Sequence, residues 1–138
     1  MRKESVMKII ETKNAPAAVG SYSQAIVVGH TVYTSGQIPI DPITEQIKSN
    51  DISEQSEQAI RNLAAVLLAA GSDLDRVVKT TCFLNSMNDF AAFNEIYAKY
   101  FTKKPARSCV EVSALPKGAL VEIDAIAIVS ECFSVPCR

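Results

Sequence analysis

The chain of 138 residues has only one histidine and four cysteines. This composition disfavours the common nucleophilic and metal-binding sites, which are built from these residues. A Ser-His-Asp triad, a Cys-His pair or a His-rich metal site would each have to use His30. The cysteines, Cys82, Cys109, Cys132 and Cys137, form no CxxC pair, and the last two have no histidine nearby, so zinc ligation is disfavoured. We predict free thiols, as a reducing cytosol favours.

Other signals are absent as well. The motifs GxGxxG, GxxxxGK[ST] and HExxH and the EF-hand loop are missing, so we expect no nucleotide, no required metal and no cofactor. The formal net charge is −1 and the pI is about 5.8, which argues against a nucleic-acid partner held by bulk positive charge. No apolar run reaches the roughly 18 residues that span a bilayer, and no signal peptide is recognisable. We therefore expect no membrane partner and a cytoplasmic protein.

The composition is that of an ordinary globular protein, with 48% hydrophobic and 21% charged residues in a length typical of one domain. Apolar periodicity predicts the element order β-ββ-α-β-α-ββ. The predicted segments are a strand at 7–11, a hairpin at 22–36 turning at Gly29-His30, a helix at 52–70, a strand at 76–84, a helix at 89–101, and a hairpin of 106–115 and 119–129 turning at Pro116-Lys117-Gly118. Asp51 is the predicted N-cap of the first helix and Gly71 its C-cap.

Two helices against one mixed sheet predict an α+β sandwich of two layers, with both helices on one face. The last predicted strand is apolar on both alternations, since Val121 and Ile123 face one side while Ile126 and Ile128 face the other. A strand that is apolar on both faces requires burial on both faces, and no predicted element remains to cover the second. We therefore expect a homo-oligomer that associates through the sheet.

Arg107, at the mouth of the predicted strand in "PARSCVEV", is the first candidate for substrate binding. A guanidinium fork matches a carboxylate in two parallel hydrogen bonds. The alternative is a structural ion pair with Glu111, Glu122 or Asp124, a commoner use of arginine. Glu122 lies within an apolar strand, where an unpaired carboxylate is costly. It either orients or deprotonates a water, or it pairs with Arg107 or faces outward.

Five further residues have both a functional and an ordinary interpretation. Tyr22 could place a hydroxyl in a cleft or pack with its tip in water. Ser35-Gly36 could bring a backbone N–H close to a ligand, because glycine has no side chain, or simply form a turn. Asn94 could reach across an interface or stay exposed on its helix. Cys109 shares a strand face with Arg107, two residues away, and is either a nucleophile or a small buried filler.

Four stretches in combination resemble a known family. They are "NAPAAVGSYSQA", "VYTSGQIPIDP", "VVKTTCFLNSMNDFAAFNEIYAKYF" and "PARSCVEVSALPKGALVEIDAIA", and together they span about Lys8 to Val129. The chain resembles the Rid family, the reactive intermediate deaminases also called YjgF-like proteins. It is most similar to the RidA type, the 2-iminobutanoate/2-iminopropanoate deaminases.

The resemblance implies a chorismate-mutase-like α+β fold in a homotrimer with a substrate cleft between subunits. It implies a single Rid-type domain at 7–130, between an N-terminal extension at 1–6 and a C-terminal tail at 131–138. The site residues that it implies are Arg107 for the substrate carboxylate, Glu122 for the attacking water, and Tyr22, Ser35, Gly36, Asn94 and Cys109 for the pocket lining. Two positions depart from the family, Ser21 in place of a frequent proline and Lys104 in place of a common aromatic residue, and both concern the pocket entrance.

The implied activity is hydrolysis of 2-imino acids and their enamine tautomers, such as 2-aminoacrylate and 2-aminocrotonate, to 2-keto acids and ammonia, with no cofactor. The alternative is a non-catalytic module that binds small keto acids and regulates a partner. A third hypothesis, RNA cleavage or chaperone-like action, has little support from the acidic pI and the single histidine.

Overall fold

The computed structural model describes residues 7–133, and the side chains of residues 7–130. Its main elements are β1 (Lys8–Ile10), β2 (Ala25–Thr34), α1 (Ile52–Ala69), β3 (Val77–Leu84), α2 (Phe90–Tyr100), β4 (Ala106–Glu111) and β5 (Val121–Phe133). The strands form one mixed sheet in the order β1-β2-β5-β3-β4, in which only β3 and β4 run parallel within the described range. Both helices pack on one face, so the predicted two-layer α+β fold is confirmed.

Helix α1 begins and ends where the sequence predicts. The Asp51 side chain accepts a hydrogen bond from the backbone N–H of Glu54 at 3.0 Å, which satisfies a donor that the first turn leaves unpaired. At the other end Gly71 has φ +83°, and the N–H groups of Gly71 and Ser72 bond to the carbonyls of Leu68 and Leu67. This Schellman arrangement needs a left-handed residue, which glycine adopts without a Cβ penalty.

The first predicted hairpin is wrong, because Gly29-His30 is not a turn. Strand β2 runs through both residues, and its pairing with β5 changes register between Gly29 and Thr31. Gly29 has φ +59°, so the conformational freedom that suggested a turn is used for a bulge instead.

The last predicted hairpin is also wrong. Strands β4 and β5 follow each other in the chain, but β3 lies between them in the sheet. Helix α2 provides the crossover that lets β4 pair in parallel with β3, and β5 then enters between β2 and β3, antiparallel to both. The strand also continues to Phe133, beyond the predicted boundary at 130. The predicted extension at 1–6 and residues 134–138 of the predicted tail lie outside the described residues.

The two faces of the sheet have different environments. The side chains of β5 that face the helices are buried in the core: Val121, Ile123, Ala125, Ala127 and Val129. The opposite face is open, and within residues 7–130 no side chain layer covers it. We define this open face by Tyr33, Thr81, Phe83, Glu122, Asp124, Ile126 and Ile128, which are paired across strands or alternate along β5. Tyr33 is 47% and Ile128 49% exposed. Oligomerisation through this face stays a prediction.

No helix in the described part of the chain is both long and apolar enough to cross a bilayer.

Candidate active site

Arg107 is held against helix α2, on the helix-covered face of the sheet. Its Cα partner in β3 is Thr80, which is fully buried, so the two side chains leave the sheet on the same side. The Nη1 atom donates to Asn94 Oδ1 at 2.8 Å. The guanidinium carbon lies 4.6 Å from the centre of the Tyr97 ring and 5.5 Å from that of Phe90. Arg107 is therefore fixed by stacking and by one amide.

The structural ion pair that sequence reasoning left open for Arg107 is absent from the described residues. The ion pairs found there join Lys48 to Asp41, Arg61 to Glu57 and Arg76 to Asp73. Glu111 instead accepts the backbone N–H of Met87 at 2.8 Å. A guanidinium carries five N–H donors, and among the described residues only the Asn94 bond uses one. The remaining donors are available for an anion.

Glu122 projects from the open face. It pairs with Phe83 across β3, and its neighbours in the chain, Val121 and Ile123, are fully buried on the helix side. The carboxyl is half-buried, and this desolvation, followed by repulsion from the nearby Asp124 carboxylate, raises the pKa of Glu122. A raised pKa brings a carboxylate closer to the range in which it exchanges protons efficiently near neutral pH.

Gly36 makes room for that carboxyl. Gln37 forms an antiparallel bridge with Ile123, which puts Gly36 level with Asp124 and diagonally across from Glu122, whose side chain reaches over it. A Cβ built on Gly36 would lie 2.2 Å from Glu122 Oε2 and 2.7 Å from its carboxyl carbon, distances that real Cβ atoms essentially never show. The turn interpretation of Gly36 therefore misses its function, which is to leave space for a carboxylate from another strand.

Ser35 connects the Gly36 segment to the loop that carries Tyr22. Its hydroxyl donates to the Ser23 carbonyl at 2.6 Å, and its backbone N–H donates to the Gln24 carbonyl at 2.9 Å. Tyr22, the residue before Ser23, is 53% exposed and lines an open groove. Ser35 thus anchors the Tyr22 loop near Glu122, while its backbone N–H is already used and is not offered to a ligand.

Cys109 shares its strand and face with Arg107 and faces Cys82 in register across β3. Both are free thiols, as predicted. Burial raises the pKa of Cys109, against a smaller lowering by the Arg107 charge, and burial raises the pKa of Cys82 to about 12. The thiolate is the reactive form of cysteine, so at neutral pH the neutral thiol of Cys109 suits pocket lining better than nucleophilic attack.

The structure divides the predicted site residues into two groups, which we call the arginine half-site and the glutamate half-site. The arginine half-site consists of Asn94, Arg107 and Cys109, and the glutamate half-site consists of Ser35, Gly36 and Glu122, with Tyr22 on the neighbouring loop that Ser35 binds through Ser23 and Gln24. The β-ladder rows of Arg107 and Glu122 are three residues apart, about 10 Å along the strands. Their strands are two positions apart, and the side chains leave opposite faces. One chain therefore does not bring the two half-sites together.

Phe90 and Tyr97 are not among the predicted site residues, since apolar rings at helical spacing are typical of a core-facing helix side. Tyr97 is indeed buried, but both rings also face the Arg107 guanidinium. The signal that could have found them is Asn94, a polar residue between two aromatics at intervals of four and three.

The described residues form a two-layer α+β fold in which Arg107 has no carboxylate partner and Glu122, whose pKa is raised, lies on the other face of the sheet. A model of the family described as Endoribonuclease L-PSP matches residues 12–129. The chain belongs to this family, which is the Rid or YjgF-like family.

Relatives and solved structures agree with this membership. The chain is similar to the 2-iminobutanoate/2-iminopropanoate deaminase of Rattus norvegicus, with 49% identity over 89% of this chain and 90% of the relative. A Rid family protein, YyfA, from Yersinia pestis is 55% identical, with a TM-score of 0.87 over 90% of this chain and all of that one. E. coli TdcF, solved with bound serine, is 43% identical, with a TM-score of 0.85 over 89% and 99%. Other relatives carry names without an activity, RutC family protein in Pyrococcus horikoshii and regulator in Lactococcus lactis.

Proposed function

We propose that the protein hydrolyses 2-imino acids and their enamine tautomers, such as 2-aminoacrylate and 2-aminocrotonate, to 2-keto acids and ammonia. The observation that carries the proposal is the state of Arg107, a guanidinium that is fixed by Asn94 and Tyr97 but has no carboxylate partner in the described residues. A fixed cation without a partner is suited to a small anionic substrate. The family membership and the deaminase name of a relative 49% identical support the same reaction.

The proposed site forms between copies of the chain. The arginine half-site and the glutamate half-site lie on opposite faces of one sheet, so an Arg107 must meet the Glu122 of another copy. The open face, with Tyr33 and Ile128 about half exposed, is the surface that a second copy would cover. A homotrimer satisfies both conditions, because a closed ring of head-to-tail contacts uses each half-site once per interface.

In the proposed mechanism Arg107 binds the substrate carboxylate and fixes the imine carbon beside Glu122 of the neighbouring copy. Glu122 accepts a proton from a water molecule as the water oxygen bonds to the imine carbon. Glu122 then passes this proton to the imine nitrogen. The adduct then carries a hydroxyl and an amino group on one carbon. Glu122 takes the hydroxyl proton and passes it to the nitrogen, the C–N bond breaks as the C=O bond of the keto acid forms, and ammonia leaves. Imines hydrolyse in water unaided, so orientation and one proton-transfer group, worth typically 10²–10⁴-fold, are enough.

Complementation between inactive variants tests both the reaction and the shared site. Serine dehydratase supplies 2-aminoacrylate, and formation of pyruvate is followed above its spontaneous rate. We expect Arg107→Ala and Glu122→Ala each to lose at least about 10²-fold. Refolded together in equal amounts, they should recover about one quarter of the parent activity, because one site in four then combines an intact Arg107 with an intact Glu122.

Two results would overturn the proposal. An Arg107→Ala variant as fast as the parent would remove the carboxylate role, and mixed oligomers without recovered activity would remove the shared site. One variant carries an affinity tag, and the amount of untagged variant that co-purifies with it shows whether the two have mixed.

The second candidate is a binding module for small keto acids, which the regulator name of the Lactococcus lactis relative supports. Calorimetry with 2-oxobutanoate separates the two candidates. Binding that requires Arg107, in a parent protein that does not accelerate keto acid formation, would favour the binding module.

A further inference from the structure

Helix α2 presents a row of three side chains to Arg107. Phe90, Asn94 and Tyr97 are four and three residues apart, which places them on one face of a helix. Asn94 accepts a hydrogen bond of 2.8 Å from the guanidinium. The centre of the Phe90 ring lies 5.5 Å from the guanidinium carbon, and that of the Tyr97 ring 4.6 Å. The shorter distance is to Tyr97, so its ring is the main aromatic contact of the cation.

The Tyr97 ring is itself held from several sides. It stacks on Phe101 with ring centres 4.3 Å apart and an interplanar angle of 25°, and it packs against Phe93 at 5.6 Å. Its hydroxyl forms a buried hydrogen bond of 2.7 Å with Thr80 Oγ1. Thr80 is also the Cα partner of Arg107 in the sheet, so one residue links the backbone of the arginine to the ring under its side chain.

This arrangement has a consequence for anion binding. An arginine that hydrogen-bonds through its edge keeps its planar face available for an aromatic ring, and stacking restricts the long side chain before the ligand arrives. Less rotamer freedom is then lost when the carboxylate binds. A buried and hydrogen-bonded ring is a rigid support for such a contact, in a way that an exposed ring is not.

We infer that Tyr97 is a positioning residue for the carboxylate site, whose buried ring holds the Arg107 guanidinium in the orientation that receives the substrate. The inference rests on the proposed function, and it assigns to Tyr97 a contribution to substrate affinity beyond its contribution to the core. A tyrosine with a purely structural role would affect stability and leave the substrate KM unchanged.

Three variants separate the two roles. Tyr97→Phe keeps the ring and loses the Thr80 bond, and Tyr97→Leu keeps apolar bulk and loses the ring. Ile96→Ala is the control, because it removes a buried apolar side chain from the same helix and leaves the rings that hold Tyr97 intact. The readouts are kcat and KM for 2-aminoacrylate, the Kd of 2-oxobutanoate, and the Arg107 side-chain N–H resonance by NMR, which a ring current shifts when the guanidinium lies over an aromatic face.

In the parent and in Tyr97→Phe we expect a shifted Arg107 resonance and KM values within about twofold of each other. In Tyr97→Leu we expect the shift to be reduced and KM to rise roughly five- to tenfold, the loss that a partly desolvated cation–π contact implies, with kcat changed less than KM. Ile96→Ala should lower stability while KM and the Arg107 shift stay as in the parent.

The failures are distinguishable. If the Arg107 shift disappears in Tyr97→Leu but KM and Kd stay at parent values, the positioning role is wrong while the proposed deamination stands. If Ile96→Ala raises KM as much as Tyr97→Leu does, the effect is general to the core and the inference is also wrong. If the parent binds 2-oxobutanoate but does not turn over 2-aminoacrylate, the Kd values of the variants replace KM in the test. If the parent does neither, both the proposed function and the role of Tyr97 are wrong.

Discussion

Replacing Gly36 by alanine tests whether the position of the Glu122 carboxyl determines activity. The added Cβ would lie 2.2 Å from Oε2, 2.7 Å from the carboxyl carbon and 2.9 Å from Cγ of Glu122. Ordinary contacts begin near 3.4 Å, so the end of the glutamate side chain must move by about 1 Å or more. The backbone at Gly36 is not in the left-handed region, so alanine brings no backbone strain of that kind.

The magnitudes differ sharply for stability and for activity. The atoms that must move are the end of a flexible side chain on the open face, so we expect Gly36→Ala to lower the free energy of unfolding by only about 1 kcal/mol. A misplacement of about 1 Å in a catalytic group costs on the order of 10²-fold in rate. Gly71→Ala is the matched control, because Gly71 has φ +83° with no atom near its added Cβ. It should lose about 1 kcal/mol of stability from backbone strain and keep parent activity.

The assay is keto acid formation from 2-aminoacrylate, alongside urea unfolding of each variant. A double-mutant cycle decides whether the effect acts through the carboxyl. If it does, Gly36→Ala combined with Glu122→Ala should be no slower than Glu122→Ala alone. Full activity in Gly36→Ala, or a loss that adds to that of Glu122→Ala, would refute the reasoning.

Three further predictions concern charge, pH and the core. Repulsion from Asp124 contributes to the raised pKa of Glu122, so Asp124→Asn should lower that pKa. The acidic limb of the kcat/KM profile, expected above pH 4.5 in the parent, should then move to lower pH. A limb that does not move, measured from pH 4 to 8, would contradict this. In the parent the same raised pKa makes stability fall as pH rises from 4.5 through the folded pKa, since the native state there holds a proton that the unfolded state has lost. Asn62→Ala should lower the free energy of unfolding by about 2–3 kcal/mol, because the buried Asn62 side chain donates through Nδ2 to the carbonyls of Ile38 and Ile40 at 3.0 and 2.8 Å. A urea midpoint equal to that of the parent, with an unchanged m-value, would contradict this.

Local features of the fold could be predicted from the sequence because their causes lie within a few residues. The bounds of α1 depend on Asp51, on the spacing of apolar residues and on Gly71, and all three are visible in the chain. The same local logic failed at Gly29, since a glycine with positive φ serves a turn and a bulge equally well. What decides between them is the partner strand β5, about 100 residues away in the chain.

The site was predictable as a set of residues and not as an arrangement. Arg107 and Glu122 were recognisable because a charged side chain in an apolar strand requires an explanation. Their placement on opposite faces depends on strand order, and the predicted hairpin of β4 with β5 would have made those strands neighbours. The supporting role of Tyr97 was hidden for another reason, since a ring that packs in a core and a ring that carries a cation share the same sequence spacing.

The separation of Arg107 from Glu122 also bears on how the base would function. In the single chain Glu122 is half-buried beside Asp124, and both burial and repulsion favour its neutral form. A second copy that covered the open face would remove more water and raise the pKa further, which by itself would disable a general base. The cation that the same copy would bring, Arg107 with donors left unused in the described chain, acts in the opposite direction and favours the carboxylate. On this argument assembly would supply the substrate anchor and offset the rise in the pKa of the base in one step, so covering the open face without the arginine should raise the pKa of Glu122 further and slow the reaction.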